Sequence, residues 1–295
     1  MSACVDVIIP VYRAEAETRR CLDSVLAHPG PIAHEVIVID DASGVASLAA
    51  YLDHLADAGR ITLIRHADNA GFVRTVNEGM ALHPQRDVVL LNSDTEVAND
   101  WLHRLRRAVY RDADIATATP FSNNATICSY PWEGWTGGVH GTLGLAALDR
   151  LIARANAGGQ VDIPTAVGFC MYIRRACLDA VGLFDAERFG RGYGEENDFC
   201  MRAAGKGWRH ILAGDVYVYH AGGASFAGEQ GLLQTAAMAA LLDHFPDYPQ
   251  VIQAFLLRDP VAALRQRIDV ARCATGPVEA AHVRREAAGR DTRGA

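Results

Sequence analysis

The first hundred residues alternate between short, continuous apolar runs and longer segments whose apolar side chains recur at helical spacing. Continuous apolar runs are typical of strands that are buried on both faces, and spacings of three and four residues indicate amphipathic helices. Strands separated by single helices need crossover connections, so we expect a mainly parallel sheet. The predicted strands are 5–11, 35–39, 61–64 and 88–91, and the predicted helices are 13–27, 48–58 and 73–82.

The second half of the chain has a less regular pattern. Residues 120–164 are rich in Pro, Asn, Gly and aromatic side chains, which predicts long loops around one helix near 143–155. From Arg272 the chain is rich in Ala, Gly and Arg with little periodicity, and we expect a mobile tail there. The other predicted elements are helices over 101–109, over 196–204 and beyond 231, and strands over 166–174 and 216–219.

Polar side chains follow three of the four predicted N-terminal strands. They are Asp40 and Asp41, Asp68 and Asn69, and the run Asn92-Ser93-Asp94. In sheets of this kind ligands bind beyond the carboxyl ends of the strands. These carboxylates and amides therefore indicate a binding site rather than a core.

Asp94 is the first candidate for metal chemistry. Mg²⁺ and Mn²⁺ take oxygen ligands, usually one or two carboxylates with phosphate oxygens, and a strand end holds a carboxylate rigidly. The alternative is an Asx cap on the helix that begins near Asn99. His220, at the end of a predicted strand before a Gly-rich turn, is a plausible further Mn²⁺ ligand, although a lone histidine is more often structural.

The acidic run Glu195-Glu196-Asn197-Asp198 is a candidate for a general base. The alternative is structural, because acidic residues favour the first turn of a helix. Crowded carboxylates raise one another's pKa, so a neighbouring cation would help one of them to stay ionised. Arg202 lies one helical turn after Asp198 and fits that need.

Composition narrows the function classes. Half of the 295 residues are apolar, 21% are charged and the net charge is −7, which indicates a folded globular protein and argues against general nucleic-acid binding. No apolar run approaches the ~20 residues of a membrane span, and the first residues lack signal-peptide features. Seven cysteines without a C-x-x-C pair indicate reduced thiols. We therefore expect a cytoplasmic protein.

Several common catalytic motifs are missing from the sequence. It contains no G-x-x-x-x-G-K-[ST] loop, no G-x-G-x-x-G after the first strand and no G-x-S-x-G elbow. An ATPase, a dinucleotide-dependent oxidoreductase and an α/β hydrolase are thus unsupported. Any phosphate would have to be held by metal and arginine.

Read in order, a series of short segments resembles the family-2 glycosyltransferases, which have the GT-A fold. The resemblance covers roughly residues 4–226. The segments are VDVIIPVY (5–12), VIVIDDAS (36–43), NAGF (69–72), NEG (77–79), LLNSDTE (90–96), VGFCM (167–171), GLFD (182–185), GEENDFCMR (194–202) and VYH (218–220).

The resemblance implies roles for matching positions. Asp94 matches the metal-binding end of the family's D-x-D motif, Glu196 matches the catalytic aspartate of its Glu-Asp pair, and His220 matches a histidine that completes the metal site in some members. Residues implied to bind the nucleotide are Pro10, Tyr12, Asp40, Asp41, Arg74, Asn92 and Ser93.

Two positions depart from the family pattern. The motif here is Asn92-Ser93-Asp94, which resembles the N-x-D of rhamnosyltransferase-like members and loses one charge. The residue at the base position is Glu196 rather than Asp, and one extra methylene changes its reach. Glu195 or Asp198 therefore stay open as alternatives.

The resemblance implies an α/β protein with a mainly parallel, mixed central sheet and helices on both faces. We expect one GT-A domain over 1–230, with a nucleotide-binding half (1–97) and an acceptor-binding half (98–230). A helical extension (231–271) and a mobile tail (272–295) would follow. The Gly-rich stretch 134–144, with Tyr130, Trp132 and Trp135, is expected to shape the acceptor side.

The implied activity is metal-dependent inverting transfer of a hexose or deoxyhexose. The donor would be a UDP- or dTDP-sugar, the cation Mn²⁺ or Mg²⁺, and the acceptor a hydroxyl of a saccharide or lipid-linked molecule. The setting would be cell-surface polysaccharide or O-antigen type biosynthesis, in the cytoplasm or at the inner face of the membrane. Residues 251–257 either form a surface helix at the membrane or pack on the core.

Two alternative functions stay open: a nucleotidyltransferase, and a degenerate transferase that serves as a binding module.

Overall fold

Strands from both predicted halves of the chain share one central sheet. The structure is a computed structural model that describes residues 4–137, 142–190, 192–222 and 230–291. In the order in which they lie in the sheet, its strands are β3 Thr62–Arg65, β2 Ala33–Asp40, β1 Cys4–Val11, β4 Asp87–Leu91, β8 Cys170–Ile173, β6 Ile115–Phe121, β9 Arg209–Tyr217 and β7 Gln160–Ile163.

The sheet is mixed, with a parallel N-terminal half as predicted. β1 pairs in parallel with both β2 and β4, and β2 pairs in parallel with β3. β8 runs antiparallel between β4 and β6, and β7 runs antiparallel to β9. A separate two-stranded pair joins β5 Thr95–Glu96 to β10 Tyr219–His220.

Helices surround the sheet and continue to the end of the described chain. The predicted helix over 101–109 has those bounds in the structure, and the other N-terminal helices lie within about two residues of their predicted ends. The helices are α1 Glu15–Ala27, α2 Ala46–Asp57, α3 Phe72–Leu82, α4 Trp101–Val109, α5 Leu145–Ala155, α6 Arg175–Val181, α7 Ala186–Phe189, α8 Glu195–Ala204, α9 Gln230–His244, α10 Tyr248–Arg258, α11 Ala262–Cys273 and α12 Pro277–Asp291.

The core lies on both faces of the sheet, as continuous apolar strands predict. Val7 and Ile9 of β1 belong to one cluster of buried side chains, together with residues of α1, α2 and α4. Ile8, between them, belongs to a second cluster with residues of α3, α6 and α8. The alternation follows from the two-residue repeat of a strand.

Two strands of the central sheet, β6 and β7, were not predicted, and neither was the short β5. The predicted strand over 216–219 covers only the last two residues of β9 and the first of β10. All residues of β6 are buried, but its sequence, IATATPF, consists mostly of small Ala and Thr side chains and contains Pro120. Such a run carries a weak hydrophobic signal, so the interior of the second half looks like loop from the sequence. The predicted strand over 166–174 is shorter in the structure, because only Cys170–Ile173 pairs with β4 and β6.

The chain from Arg272, which was expected to be a mobile tail, contains a further helix, α12, over Pro277–Asp291. Arg272 is fully buried and its guanidinium binds Glu279 Oε1 (2.7 Å from Nε) and Glu286 Oε2 (2.6 Å from Nη1). This ion network fixes the helix, and charge pairing of that kind leaves no apolar periodicity in the sequence. Residues 292–295 lie outside the described residues.

α10 presents apolar side chains in two directions. Tyr248 and Phe255 are buried, whereas Leu256 is 42% and Leu257 81% exposed. Residues 251–257 therefore pack on the protein and also form an exposed apolar edge. Within the described ranges, the helices are all too short or too polar to cross a bilayer.

Candidate active site

The short pair of β5 and β10 brings together two predicted metal ligands that are far apart in sequence. His220 lies opposite Thr95 in this pair, and the amide of Ala221 donates to the backbone carbonyl of Asp94 at 2.9 Å. His220 Nε2 then lies 3.3 Å from Asp94 Oδ1, while the Gly222 amide donates to Asp94 Oδ2 at 3.1 Å. The two side chains that were predicted as metal ligands, Asp94 and His220, thus lie next to each other.

The imidazole of His220 is held in the orientation of a metal ligand. Nδ1 lies 2.7 Å from the backbone carbonyl of Asn124, and since a carbonyl only accepts, Nδ1 carries the proton. The ring also stacks on Phe169, with centroids 5.2 Å apart and planes at 17°. Histidines that bind metals usually donate their other ring nitrogen in this way, which leaves Nε2 for the cation.

Asp94 and His220 stabilise each other's charged forms. Burial opposes ionisation of Asp94, but the hydrogen bond and the charge of His220, together with the backbone amides of Asp94 and Gly222, outweigh it, and the pKa of this carboxyl lies below its ordinary value. Burial likewise opposes the imidazolium, yet the bond to Asp94 raises the pKa of His220 above its ordinary value. A carboxylate oxygen and an imidazole nitrogen suit Mn²⁺, so the pair fits a divalent cation.

Two glutamates face the same cavity from the start of α8. Gly194, which precedes the helix, has φ +83°, a conformation that favours glycine, and a Cβ there would lie 3.1 Å from the ring of Phe189. The Oε2 atoms of Glu195 and Glu196 are buried, and neither has a hydrogen-bond partner among the described residues. This wall of the cavity therefore holds two carboxyls with unused acceptor atoms.

Burial changes the protonation of both glutamates. It raises the pKa of Glu195 well above the ordinary value, and the negative charge of Glu196 raises it further. Burial also raises the pKa of Glu196, against the opposing effect of the backbone amides at the helix start. Glu195 is buried and Glu196 half-buried, and the pKa of Glu195 is raised further, so Glu196 is the one that ionises more readily.

A cavity of about 350 Å³ joins these groups. It gathers seven of the twelve site residues predicted from the sequence, from the ends of β1 and β4, from β10 and from α8. The seven are Pro10, Asn92, Ser93, Asp94, Glu195, Glu196 and His220.

Asp198 does not line this cavity. Its Oδ2 accepts from Arg202 Nε at 2.7 Å and its Oδ1 lies 3.3 Å from His244 Nδ1. The side chain is fully buried in this ion pair. The structure therefore brings Glu195 and Glu196, but not Asp198, to the predicted catalytic position.

Four predicted nucleotide-binding residues also lie outside the cavity lining: Tyr12, Asp40, Asp41 and Arg74. The carboxylate of Asp41 forms hydrogen bonds within the protein, because it accepts from the amides of Ala70 (2.7 Å) and Gly71 (3.0 Å). Asp40 accepts from the Ser43 amide at 3.0 Å. Arg74 is exposed on the first turn of α3.

Two asparagines that hydrogen-bond His220 were not predicted from the sequence. Asn123 is buried, and its side chain bonds both the amide of His220 (2.8 Å) and its carbonyl (2.9 Å). Asn124 supplies the carbonyl for Nδ1 and lines the cavity. They follow the end of β6, so the strand-end argument that identified Asp94 would have found them if β6 had been predicted.

The aromatic residues expected on the acceptor side are largely structural. Tyr130 and Trp132 are buried, and Tyr130 hydroxyl donates to Asp269 of α11. Trp135 is half-buried and packs edge-on against Trp132 at 4.5 Å between centroids. Of the Gly-rich stretch 134–144, residues 138–141 lie outside the described residues.

A second cluster of metal-type side chains consists of Asp6, Glu35 and His83. The guanidinium of Arg86 already lies among them, 2.8 Å from Asp6 Oδ1 and 2.6 Å from Glu35 Oε2. This cluster is at the amino ends of β1 and β2, the opposite edge of the sheet from Asp94. Its charges are thus balanced within the protein.

Replacing Glu195 with glutamine is expected to stabilise the protein by about 1–3 kcal/mol at pH 8, because it removes the charge of a buried carboxyl whose Oε2 has no hydrogen-bond partner among the described residues. The raised pKa means that the folded protein binds this proton more tightly than the unfolded chain. Stability of the wild type therefore falls as pH rises above the ordinary value near 4.5. Thermal unfolding at about pH 5.5 and pH 8 should show a larger gain at pH 8.

The exposed Glu187→Gln is the control for that experiment, and its stability should stay within about 0.5 kcal/mol of the wild type. An advantage of Glu195→Gln that is equal at both pH values would contradict a raised pKa for Glu195.

Comparisons with known proteins agree on one family. A family model described as Glycosyl transferase family 2 matches residues 6–182. N-acetylgalactosaminyltransferase 7 of Drosophila melanogaster is 32% identical over 91 residues, 30% of this chain and 15% of that protein. Polyprenol monophosphomannose synthase of Mycolicibacterium smegmatis is 28% identical over 207 residues, 68% of this chain and 72% of that protein.

Glycosyltransferase GlyA of Streptococcus pneumoniae serotype 4 is 32% identical over 125 residues, which are 41% of this chain and 17% of that protein. The matches thus cover less than a fifth of both the Drosophila and the pneumococcal protein.

Solved structures show the same fold. A mannosyltransferase of Pyrobaculum calidifontis in complex with GDP-Man and Mn²⁺ has a TM-score of 0.57 at 19% identity, covering 96% of this chain and 79% of that one. GalNAc-T7 with UDP, GalNAc and Mn²⁺ has a TM-score of 0.60 at 18% identity, covering 92% and 55%. The predicted GT-A architecture, a mixed and mostly parallel sheet with surrounding helices and C-terminal helices, is confirmed.

Proposed function

Because the chain belongs to glycosyl transferase family 2, we propose that it transfers a sugar from a nucleotide-sugar to an acceptor hydroxyl, by a metal-dependent inverting displacement. One observation carries this proposal. A single cavity places a carboxylate–imidazole pair suited to a divalent cation, Asp94 and His220, together with two carboxyls at the predicted base position, Glu195 and Glu196. Metal and base are the two chemical functions that the reaction needs.

The donor side of the site is proposed to be Asp94 and His220, with Asn92 and Ser93 beside them. A divalent cation, Mn²⁺ or Mg²⁺, bound there would neutralise charge on the departing nucleotide diphosphate. Asn92 replaces a carboxylate of the D-x-D motif, so His220 compensates for the lost ligand. Its fixed Nδ1 proton keeps Nε2 available, as the bond to Asn124 supports.

We assign the base to Glu196. Its pKa is raised by burial, which brings it closer to neutral pH, where a base is most effective. The pKa of Glu195 is raised further than that of Glu196, so Glu195 binds its proton more tightly. Asp198 is held by Arg202 outside the cavity. Glu196 would accept the proton of the acceptor hydroxyl as that oxygen attacks the anomeric carbon on the face opposite the nucleotide, so the configuration inverts.

For the nucleotide, we propose UDP or dTDP and a binding region within residues 1–97. Pro10 lines the cavity directly. Asp41 bonds the amides of Ala70 and Gly71 and so fixes the loop before α3, which supports an indirect role. Tyr12, Asp40 and Arg74 lie at the same edge of the sheet and are proposed to meet the base, ribose and diphosphate beyond the cavity.

We propose that residues 98–230 bind the acceptor, a saccharide or a lipid-linked molecule of cell-surface polysaccharide or O-antigen type biosynthesis. The apolar edge formed by Leu256 and Leu257 on α10 supports an association with the inner face of the membrane, where lipid-linked acceptors are found. Apolar side chains on an exposed helix gain free energy from contact with a lipid surface.

The rate of transfer should fall on the acid side of neutral. A general base must be ionised, and burial raises the pKa of Glu196, so the midpoint of the acid limb should lie above the ordinary value of 4.5. The measurement is kcat between about pH 4.5 and pH 8 with saturating Mn²⁺ and donor, which removes the pH dependence of metal binding. A constant kcat down to the lowest pH would contradict Glu196 as the base.

The proposed function is tested with a panel of UDP-, dTDP- and GDP-sugars, with and without Mn²⁺. We expect metal-dependent release of nucleoside diphosphate from one donor class and a product of inverted anomeric configuration in the NMR spectrum. Release of pyrophosphate from a nucleoside triphosphate and a sugar phosphate would instead identify a nucleotidyltransferase. Donor binding without any turnover or hydrolysis would identify a binding module.

A further inference from the structure

Residues 122–137, the wall segment, connect the cavity with the C-terminal helices. Asn124 and Thr126 of this segment line the cavity. Arg265 of α11 is 4% exposed, and its guanidinium donates from Nε to the Ser129 carbonyl (3.1 Å) and from Nη2 to the Ile127 carbonyl (2.9 Å). A single buried side chain of the extension therefore bridges two carbonyls of the wall segment.

The wall segment also determines where His220 lies. Asn123 bonds the amide and the carbonyl of His220, and Asn124 accepts from Nδ1 of its ring. Both the backbone and the side chain of His220 are thus fixed by two neighbouring residues. Beyond Gly222, residues 223–229 lie outside the described residues.

Bonds within the wall segment join its two functional parts. The Tyr130 amide donates to the Ser122 carbonyl (2.8 Å), the Ser122 amide to the Cys128 carbonyl (3.3 Å), and the Ala125 amide to Ser129 Oγ (2.8 Å). The carbonyls that Arg265 binds and the asparagines that hold His220 therefore belong to one hydrogen-bonded loop. We therefore expect a displacement at Ile127 or Ser129 to move Asn123 and Asn124 as well.

α11 holds the wall segment at a further point, and α12 holds the chain beyond its end. Arg272 donates to the hydroxyl of Tyr130 at 3.0 Å, and Glu279, which pairs with Arg272, accepts from the Thr142 amide at 2.9 Å. Asp259 lies 2.8 Å from Arg265 Nη1 and compensates its buried charge. The extension is thus bonded to the wall segment at its middle and just beyond its end.

We propose that Arg265 is a positioning residue for sugar transfer, which acts by holding the wall segment so that Asn123 and Asn124 orient His220 toward Asp94. The metal-binding consequence rests on the proposed function; the mechanical link from Arg265 to His220 does not. A planar guanidinium can bridge two carbonyls at once, whereas a lysine ammonium is a single point of charge. The C-terminal helices are then part of the active-site architecture.

The test compares Arg265→Met with Arg175→Met by hydrogen–deuterium exchange of the metal-free protein. Arg175 is a matched control, because its guanidinium also binds backbone carbonyls, those of Met80 and Arg86, at the amino end of β4. Loss of the two bonds of Arg265 should speed amide exchange about tenfold or more in the wall segment and at His220. Arg175→Met should leave exchange at His220 as in the wild type.

A second readout is Mn²⁺ binding in the presence of UDP, measured by the EPR signal of free Mn²⁺. Arg265→Met should weaken it about tenfold or more, a factor typical of residues that orient metal ligands, and lower kcat measured at saturating donor and Mn²⁺. Arg265→Lys keeps the charge but not the bridge and should show a smaller change in the same direction. This variant serves also if Arg265→Met does not fold.

Two results would overturn the proposal. One is faster exchange in the wall segment with unchanged exchange at His220; the other is an equal effect of the Arg265 and Arg175 variants, which would indicate general destabilisation. A wild type that turns over no nucleotide-sugar would refute the proposed function alone, since the exchange comparison needs neither metal nor donor.

Discussion

Replacing Glu196 with glutamine is expected to lower kcat by about 10²–10⁴-fold while the nucleotide Kd stays unchanged. Glutamine keeps the size and a carbonyl oxygen but cannot accept the proton of the acceptor hydroxyl. The nucleotide is proposed to bind through the cation at Asp94 and His220, on another wall of the cavity, so its binding should not change. The measurement is kcat under saturating donor and Mn²⁺, with Kd for the nucleoside diphosphate determined by calorimetry.

The two neighbouring carboxyls provide matched controls. Glu195→Gln should keep most of the turnover, because burial and the charge of Glu196 raise the pKa of Glu195 well above its ordinary value, which makes it the less readily ionised of the two carboxyls. Asp198→Asn breaks the ion pair with Arg202 and should lower thermal stability more than kcat. Equal turnover in Glu196→Gln and the wild type, with loss in Glu195→Gln, would move the role to Glu195.

Replacing Asp94 with alanine is expected to weaken Mn²⁺-dependent nucleotide binding by at least about 100-fold. Even residues that merely orient a metal ligand cost about 10–100-fold in affinity, and Asp94 is proposed as a direct ligand. The variant also leaves the imidazole of His220 without its carboxylate partner at 3.3 Å. Calorimetric titration of UDP, dTDP and GDP with and without Mn²⁺ measures the effect.

Glu96→Gln is the control for Asp94, because Glu96 lies two residues later on β5 and pairs with Arg20 at 3.4 Å, outside the cavity lining. Its Mn²⁺-dependent affinity should equal that of the wild type. A nucleotide affinity of Asp94→Ala that still rises with Mn²⁺ as in the wild type would remove Asp94 from the metal site.

The sequence predicts the strands and helices of residues 1–91 well, because every signal there is local. Each strand is a continuous apolar run between two helical patterns, and the polar residues at the strand ends mark the edge where ligands bind. Asp94 could be identified in this way. His220 could be recognised as a candidate from its Gly-rich neighbourhood. Its closeness to Asp94 depends on the pairing of β5 with β10, and strands of two residues are too short to be predicted from a sequence pattern.

The second half carries its information in long-range polar contacts. β6 is built from small Ala and Thr residues, so its burial leaves little hydrophobic signal and Asn123 was not recognised as following a strand. Likewise, α12 is fixed by the buried Arg272 and its two glutamates rather than by an apolar stripe. Ion pairs between single residues that are distant in the sequence leave no repeating pattern of apolar and polar positions, so they cannot be predicted from such a pattern.

Anomalous diffraction of a crystal grown with Mn²⁺ and the nucleotide that binds shows directly whether Asp94 and His220 hold the cation beside the nucleotide, as proposed. We expect one strong peak within coordination distance of Asp94 and His220 Nε2, next to the diphosphate and in the cavity that Glu196 lines. A peak at Asp6, Glu35 and His83 instead, or nucleotide bound in the cavity with no metal beside Asp94, would contradict it.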